Sequence, residues 1–388
     1  MAKHYTSILL AIFCCLVGSP GILAGNRAWE STISNAGTNG TTSSPDHQLQ
    51  KRWYLMEEDR AHMLWPDAHI KVCFELTQHQ HKGQMKSTEE IVRGYMEEAI
   101  RLWHMAGLEE NGNKFKIDFQ DSSSEFCGDT AKRQEFLLVR YAGEGSNDMA
   151  TTLGKRKEGL SSETFFRQGS KMVISDALVV GMGVVVSNVA HEIGHAWGLH
   201  HEHQDPKWWG KTWGGSVDDD KAFLGANWHC DQLADYDDAV TRVRNSHLPE
   251  LRKNQIIQQM CLSRREAVNV GFTGAINWLP IEGGKSNANR KSPDWGSIMT
   301  YPSNCGGVVT GGNRATVILK NDGSAIKPIA KPNKHDVLAL YALYGWRPTN
   351  PRVVFFQTMS ELKQRFSEIF NKSNDVPCNG SNNSRRII

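Results

Sequence analysis

The pattern of hydrophobic and polar positions predicts a fold in which strands and helices are mixed. Residues 70–74 alternate between apolar and polar side chains, as a half-buried strand does. Ser87 and Glu90 have the spacing of a helix-capping box, and apolar residues follow at helical intervals from Ile91 to Ala106. The pattern also predicts strands at 114–119, 136–141, 149–154 and 172–175, a helix that begins at 184–187, and a closing helix at 333–344.

The helix that begins near residue 184 carries the sequence H-E-x-x-H at 191–195. Residues four apart lie one above the other on a helix, so His191 and His195 can direct two imidazoles at one point. This arrangement suits a zinc ion, which nitrogen ligands hold at about 2.0–2.1 Å. Glu192 lies beside them, where its carboxylate can take a proton from an attacking water molecule.

A third histidine follows at a fixed distance. Gly198 comes three residues after His195, where a glycine can end the helix in a left-handed conformation without steric cost. The chain can then turn back and present His201, which completes the metzincin sequence H-E-x-x-H-x-x-G-x-x-H. Three histidines leave a fourth zinc position open, as in catalytic sites. This spacing selects His201 over His200, and we interpret His200 and His203 as solvated neighbours of the ligand.

A metzincin also needs a methionine turn beneath the metal, and the sequence S-I-M-T-Y at 297–301 supplies one. Glu202 directly follows the third histidine. Together these two features make the chain resemble the astacin family of zinc metalloendopeptidases. The resemblance is strong at the two motifs and loose over the rest of 53–346.

The astacin resemblance implies a role for each motif residue. It implies one zinc ion per chain, with Glu192 as the general base and then as the proton donor to the leaving amine. Tyr301 is implied to be a switchable ligand that swings to stabilise the oxyanion, and Met299 the apolar floor under the metal. Glu202 is implied to pair with the amino terminus that processing exposes. The implied zinc ligands are His191, His195 and His201.

The implied fold is an α+β, metzincin-type, two-lobed peptidase domain. A twisted sheet and two long helices form its N-terminal lobe, and its C-terminal lobe is irregular with a helical insertion. His201 and Met299 are 98 residues apart, which is longer than is typical of astacins, and the excess lies at about 231–290. Residues 231–268 have helical spacing, and Cys230 and Cys261 are candidates to pair. By analogy, the strand at 149–154 is the expected edge that binds an extended substrate.

The two ends of the chain are expected to lie outside the catalytic domain. An apolar run and small residues up to Ala24 follow Lys3, which is typical of a signal peptide at 1–24. Residues 25–52 are too polar to fold alone and end in Lys51-Arg52, which resembles a processing site. We interpret 25–52 as a pro-segment, the alternative being a linker with a solvated charge pair. The domain then spans 53–348, with a C-terminal extension at 349–388.

Cysteines and glycosylation motifs fit an exported protein. The chain has eight cysteines, of which Cys14 and Cys15 leave with the signal peptide. The even number that remains predicts three disulfides, although the sequence leaves their pairing open. Motifs for N-glycosylation occur at Asn39, Asn371, Asn379 and Asn382.

Charge and hydropathy narrow the function further. The net charge is +2 without a basic run, so nucleic-acid binding is not indicated. No later segment has the roughly 20 apolar residues of a membrane span.

We therefore expect a secreted, monomeric, zinc-dependent endopeptidase that acts on proteins or peptides. One alternative is a zinc hydrolase of another substrate class. The other is an inactive metal- or glycan-binding module, in which tryptophans contact glycans instead of packing around the cleft: Trp208, Trp209, Trp213 and Trp228.

Overall fold

The structure is a computed structural model that describes residues 30–32, 64–109, 114–146, 148–155, 169–177, 181–209, 223, 227–281 and 293–346. The predicted signal peptide and most of the pro-segment lie outside the described residues, as do Lys51-Arg52, Trp53 and the start of the domain up to residue 63. The same is true of Trp213, the four glycosylation motifs and the C-terminal extension. Predictions about these parts stay predictions.

Strands and helices alternate in the first half of the described chain, and helices predominate in the second. The strands are β1 (Glu30–Thr32), β2 (Ile70–Phe74), β3 (Gln78–His81), β4 (Gln84–Ser87), β5 (Ile117–Phe119), β6 (Phe136–Tyr141), β7 (Ala150–Thr152), β8 (Lys171–Ile174), β9 (Val309–Thr310) and β10 (Asn313–Arg314). The helices are α1 (Thr88–Met105), α2 (Glu125–Gly128), α3 (Val185–Ala196), α4 (Tyr236–Arg244), α5 (Glu250–Gln259), α6 (Arg264–Val270), α7 (Thr273–Trp278) and α8 (Lys334–Leu343).

A six-stranded sheet in the order β1-β7-β8-β6-β2-β5 forms the first layer. β2 lies parallel to both β5 and β6, β6 lies parallel to β8, and β7 runs antiparallel to β8. Each strand predicted from the sequence is present, and the one at 136–141 has the predicted bounds. The strand predicted at 114–119 is shorter and begins at Ile117.

Helix α1 packs against this sheet and against α3, the helix that carries the H-E-x-x-H sequence. Its predicted capping box is confirmed: the Ser87 hydroxyl accepts a hydrogen bond from the Glu90 amide, and the Glu90 carboxylate accepts one from the Ser87 amide. The apolar face of α1 is buried, and the Trp103 indole donates a hydrogen bond of 2.8 Å to the Ala190 carbonyl of α3. The two long helices are therefore held together.

The second half confirms that the insertion is helical. α4, α5 and α6 lie in the segment 231–268 where helical spacing predicts them, with α6 extending two residues further. Helix α8 begins one residue after its predicted start and ends one residue before its predicted end. Helix α7 was not predicted from the sequence, because its six residues include a glycine and are too few to show a helical period. With a mixed sheet and several helices, the α+β fold class is confirmed.

Two disulfides lie within the described residues. Cys230 pairs with Cys261, as the sequence analysis suggested, and Cys73 pairs with Cys127. Cys378 lies outside the described residues, so the third disulfide stays a prediction. None of the helices in the described part of the chain combines the length and apolar character that a bilayer crossing requires.

Candidate metal centre

Helix α3 places the H-E-x-x-H sequence in the centre of the molecule. All residues from Val185 to Ala196 are buried, and the helix begins within the range predicted from the sequence. It ends at Ala196 with Trp197 as its C-cap, and Gly198 then takes φ +106°, a conformation that favours glycine. The Leu199 amide then donates to the Gly194 carbonyl at 2.9 Å, which turns the chain back toward the helix. The predicted role of Gly198 in ending the helix matches this geometry.

The turn brings three imidazole nitrogens to one point. His195 Nε2 lies 2.9 Å from both His191 Nε2 and His201 Nε2, and the latter two are 3.2 Å apart. Two nitrogen ligands of a tetrahedral zinc ion, at bond lengths of about 2.0–2.1 Å, lie about 3.3 Å from each other. Within the described residues, His191, His195 and His201 form the group of potential metal ligands whose donor atoms all lie within 4.8 Å of one another. The three nitrogens fit a zinc ion with an open fourth position.

The outer nitrogens of the first two rings bond to main-chain carbonyls. His191 Nδ1 lies 2.7 Å from the Ile298 oxygen, and His195 Nδ1 lies 2.6 Å from the Leu199 oxygen. A carbonyl only accepts, so each Nδ1 carries the proton and each Nε2 keeps its lone pair. Both rings are thus held in the tautomer that binds a metal.

The third ring has a side-chain partner instead. His201 Nδ1 lies 2.7 Å from Gln204 Oε1, an amide oxygen that also only accepts. His201 Nε2 therefore faces the other two nitrogens with its lone pair. Gln204 is buried in the short 3₁₀ helix that follows the third histidine.

Burial keeps this cluster of histidines neutral. Burial lowers the pKa of His195 to about 4, although its hydrogen bond to the Leu199 carbonyl acts in the opposite direction. Burial also lowers the pKa of the neighbouring His203 to about 3. The pKa values of His191 and His201 are also well below the ordinary value, first through burial and then through neighbouring histidines. Neutral imidazole is the form that binds metal, so the apolar surroundings prepare the ligands.

Glu192 lies fully buried beside these ligands. Its two carboxylate oxygens lack a hydrogen-bond partner among the described residues, although the Thr151 hydroxyl is close enough to lower its pKa. Burial is the larger effect and raises the pKa of Glu192 to about 8. A buried carboxyl group with both oxygens lacking a hydrogen bond is costly, which indicates a site built for a cation, water or substrate.

The methionine turn lies directly under α3. A Cβ atom added to Gly194 would lie 2.6 Å from Met299 Sδ, so the missing side chain makes room for the methionine. The turn's main chain also contacts the ligand segments: the Ile298 carbonyl holds His191, and the Met299 carbonyl accepts from the Glu202 amide at 3.1 Å. Met299 thus packs against α3 at Gly194, the residue before the ligand candidate His195.

Helix α8 holds the methionine turn in place. Asp336 accepts hydrogen bonds from the Ser297 hydroxyl at 2.5 Å and the Ile298 amide at 3.1 Å. The same carboxylate completes a capping box with Asn333 at the start of α8. One aspartate therefore links the closing helix to the carbonyl that orients His191.

Tyr301 lies against the third ligand. Its ring centroid is 4.3 Å from that of His201 and 4.6 Å from that of His203. The Tyr301 amide donates to His203 Nδ1 at 3.4 Å, and His203 Nε2 donates to the Asn277 carbonyl at 2.9 Å. The Tyr301 side chain is fully buried, next to the histidine cluster.

The interpretation of His200 and His203 as solvated neighbours is wrong. Both are buried, and His203 packs between the rings of His201 and Trp278. The helical insertion places α7 against the loop that contains His203, and a local sequence pattern does not show such a contact between distant segments. The choice of His201 over His200 as the third member of the cluster agrees with the geometry.

Glu202 is also buried, directly after the third ligand, and its amide is bonded to the methionine turn. Its implied pairing with a freed amino terminus involves Trp53, which lies outside the described residues. That role stays a prediction.

Strand β7 is not the free edge of the sheet that the sequence analysis expected. Residues Glu30–Thr32 of the predicted pro-segment pair with β7 in parallel and form the outermost strand, β1. Strand β7 itself lies close to helix α3, because the Gly154 amide just beyond β7 donates a hydrogen bond to the His195 carbonyl at 2.9 Å. The chain's own β1 therefore occupies the edge of β7 where an extended substrate was expected.

Three residues of the site were not found by sequence reasoning. Asp336 had a signal, because it stands three residues after Asn333 in an otherwise apolar helix, the spacing of a capping box. Gly194 and Gln204 had none, because the residues that pack against Gly194 and the carbonyls that hold the Gln204 amide group lie more than 70 positions away.

Comparisons with known proteins give a limited likeness. No protein-family model and no curated protein matches the chain. Among solved structures, it is similar to high choriolytic enzyme 1, a hatching enzyme zinc-protease from Oryzias latipes (Medaka fish), with 15% identity, a TM-score of 0.36, and coverage of 79% of this chain and 100% of that one.

Two structures of myroilysin are similar to the same degree. Their TM-scores are 0.36 and 0.35 at 15% and 14% identity, and they cover 74% and 76% of this chain and 97% and 92% of their own. TM-scores this low carry no inference about activity. The chemistry of this chain is therefore inferred from its own residues.

Proposed function

We propose that this chain is an exported, zinc-dependent endopeptidase of the astacin type. The observation that carries the proposal is the convergence of three Nε2 atoms, each in its metal-binding tautomer, beside the buried carboxylate of Glu192. A structural zinc site has four protein ligands and needs no such carboxylate. Three ligands with a neighbouring base are what metal-assisted hydrolysis requires.

The residues divide the reaction between them. His191, His195 and His201 hold the zinc ion, which when bound supplies Lewis acidity to water and to the peptide carbonyl. Glu192 takes the proton of the attacking water and returns it to the leaving amine. The Tyr301 hydroxyl donates a hydrogen bond to the oxyanion, in a site from which burial excludes bulk water.

The tryptophans favour the peptidase over the glycan-binding module. Trp208, Trp209 and Trp228 are buried, with exposed fractions of 2%, 7% and 7%. A glycan-binding surface needs exposed aromatic rings, whereas these three pack inside the molecule. Within the described residues, the module therefore loses three of the four tryptophans that suggested it.

Cleavage of an unfolded protein by the chain that starts at Trp53 tests the proposal, with zinc measured on the same sample. We expect about one zinc per chain and cleavage that a chelator stops and added zinc restores. Bound zinc without cleavage of any protein, or turnover of small esters alone, would favour the alternative functions.

A further inference from the structure

The third ligand is held differently from the other two. The rings of His191 and His195 are fixed by main-chain carbonyls, whereas that of His201 depends on the Gln204 side chain. A main-chain carbonyl moves only with the backbone, but a glutamine side chain has three rotatable bonds and an amide that can turn over. The orientation of His201 therefore depends on what holds Gln204.

The end of helix α7 holds Gln204. The Gln204 Nε2 group donates to the Ile276 carbonyl at 3.0 Å and to the Leu279 carbonyl at 3.2 Å. Both of its protons are used, so a turned amide would place its oxygen against two carbonyl oxygens. Only 1% of Gln204 is exposed, which leaves no room for water to compensate. The carbonyls of α7 thus direct Oε1 at His201 and fix the tautomer of that ring.

The same segment also holds the neighbours of Gln204. The Gln204 carbonyl accepts from the Ile281 amide at 3.0 Å, and His203 donates to the Asn277 carbonyl. The loop that follows the third ligand is therefore fixed to α7 and the residues just after it at two successive positions, His203 and Gln204.

Helix α7 in turn depends on the rest of the insertion. At its start, the Gly274 amide donates to Asp235 Oδ2 at 2.9 Å. At its end, the Arg264 guanidinium donates to the Ile276 carbonyl, the same oxygen that Gln204 uses. The disulfide between Cys230 and Cys261 closes the segment that carries Asp235, and Arg264 follows three residues after this disulfide. A continuous set of contacts runs from the insertion to the ligand.

We propose that Gln204 is a positioning residue for His201, and that the helical insertion sets metal affinity through α7. The proposal rests on the proposed function only for the identity of the metal. It gives the segment at about 231–290 a task in the centre itself, through the carbonyls of Ile276 and Leu279. Residues that orient metal ligands change metal affinity by about 10- to 100-fold when they are removed.

The direct test replaces the acceptor. Gln204→Leu keeps a similar volume and removes both the amide oxygen and the amide protons. We expect the zinc dissociation constant, measured by competition with a chelating dye, to rise about 10- to 100-fold, and the absorption spectrum of the cobalt(II)-substituted protein to change. Gln259→Leu is the matched control, because Gln259 is a buried glutamine of α5. It should leave both readouts unchanged.

A second pair of variants tests the route through the insertion. Asp235→Ala removes the acceptor at the start of α7, and Asp235→Asn retains one. We expect the alanine variant to weaken zinc binding and the asparagine variant to restore most of it. Adding Asp235→Ala to Gln204→Leu should cause little further loss, since coupled residues are not additive. Fully additive losses would contradict this route.

The outcomes separate this proposal from the proposed function. A folded Gln204→Leu variant that binds zinc within twofold of the unaltered protein overturns the positioning role and leaves the peptidase intact. A zinc-loaded, unaltered protein that cleaves nothing overturns the peptidase and leaves the affinity test valid. Where Gln204→Leu does not fold, Gln204→Asn is used, because its shorter side chain cannot reach both His201 and α7. Its zinc affinity should be reduced as well, and unchanged affinity overturns the role.

Discussion

Gly194 and Met299 lie so close together that a single added carbon would not fit between them. A Cβ atom on Gly194 would be 2.6 Å from Met299 Sδ and 3.2 Å from the Trp103 ring. The glycine lies within helix α3, two residues before its last residue, where its conformational freedom is not needed. The absence of a side chain at Gly194 leaves room for the methionine turn to pack directly against α3. This packing brings the Ile298 carbonyl to His191.

Gly194→Ala should therefore destabilise the protein and its metal centre. Met299 has to move, and overpacking of a core costs about 1–3 kcal/mol. Thermal unfolding with and without zinc measures the effect. Gly94→Ala in α1 is the matched control, since a Cβ atom there meets nothing within 4 Å, and it should stabilise by about 0.5–1 kcal/mol. Equal effects of the two substitutions would contradict the packing argument.

Zinc content distinguishes the third ligand from its neighbour. His201→Ala removes one of the three converging nitrogens and should abolish stoichiometric zinc binding, whereas His200→Ala should retain about one zinc per chain. Loaded protein should also unfold at a higher temperature, because a ligand at 100 times its Kd adds about 2.7 kcal/mol. Metal analysis after dialysis measures the content. Loss of zinc from the His200 variant alone would reverse the assignment.

The buried histidines predict how the stability of the metal-free protein depends on pH. Unfolded histidine binds a proton near pH 6.5, but burial lowers the pKa of His203 to about 3 in the folded state. The unfolded state then binds more protons, so the free energy of unfolding falls as the pH decreases from about 6.5 to 3.

Denaturant unfolding across this range, compared between variants, isolates the effect. His203→Gln should reduce the slope by up to about 1.4 kcal/mol per pH unit. His247→Gln replaces an exposed histidine between α4 and α5 and should leave the slope unchanged. An identical slope in both variants would show that His203 is not held neutral.

The pairing of β1 with β7 predicts that the pro-segment limits activity. Residues Glu30–Thr32 occupy the edge of β7 where an extended substrate is expected to bind. A chain that keeps these residues should therefore cleave protein more slowly than one that starts at Trp53. Ser31→Pro in the longer chain removes an amide from the strand and should raise its activity, while Ser31→Ala should not. Steady-state cleavage rates at equal zinc content give the answer. Equal rates for the long and short chains would sink this idea.

Local sequence patterns predicted much of the fold and the centre of the site. The capping box at Ser87, the strand at 136–141 and the helix around His191 each depend on neighbours within a few residues, so their patterns are visible in the chain. The ligand spacing is likewise a property of one helix and one turn. Those features were predicted with nearly correct bounds.

What the sequence could not show are contacts between distant segments. Gln204 reaches α7 across 72 residues and Ile298 orients His191 across 107, and no local pattern encodes either distance. The burial of His203 follows from α7, a helix too short to be predicted. The occupied edge of β7 likewise depends on β1, which lies far away in sequence.

The most direct test of the account is the activity of Glu192→Gln. This variant keeps the shape of the side chain and the three histidines but removes the base, so it should bind about one zinc per chain and unfold like the unaltered protein. We expect kcat/KM for peptide cleavage to fall about 10²- to 10⁴-fold, while Glu97→Gln on the exposed face of α1 has no effect. Zinc-loaded Glu192→Gln that cleaves peptides at the unaltered rate would contradict the mechanism.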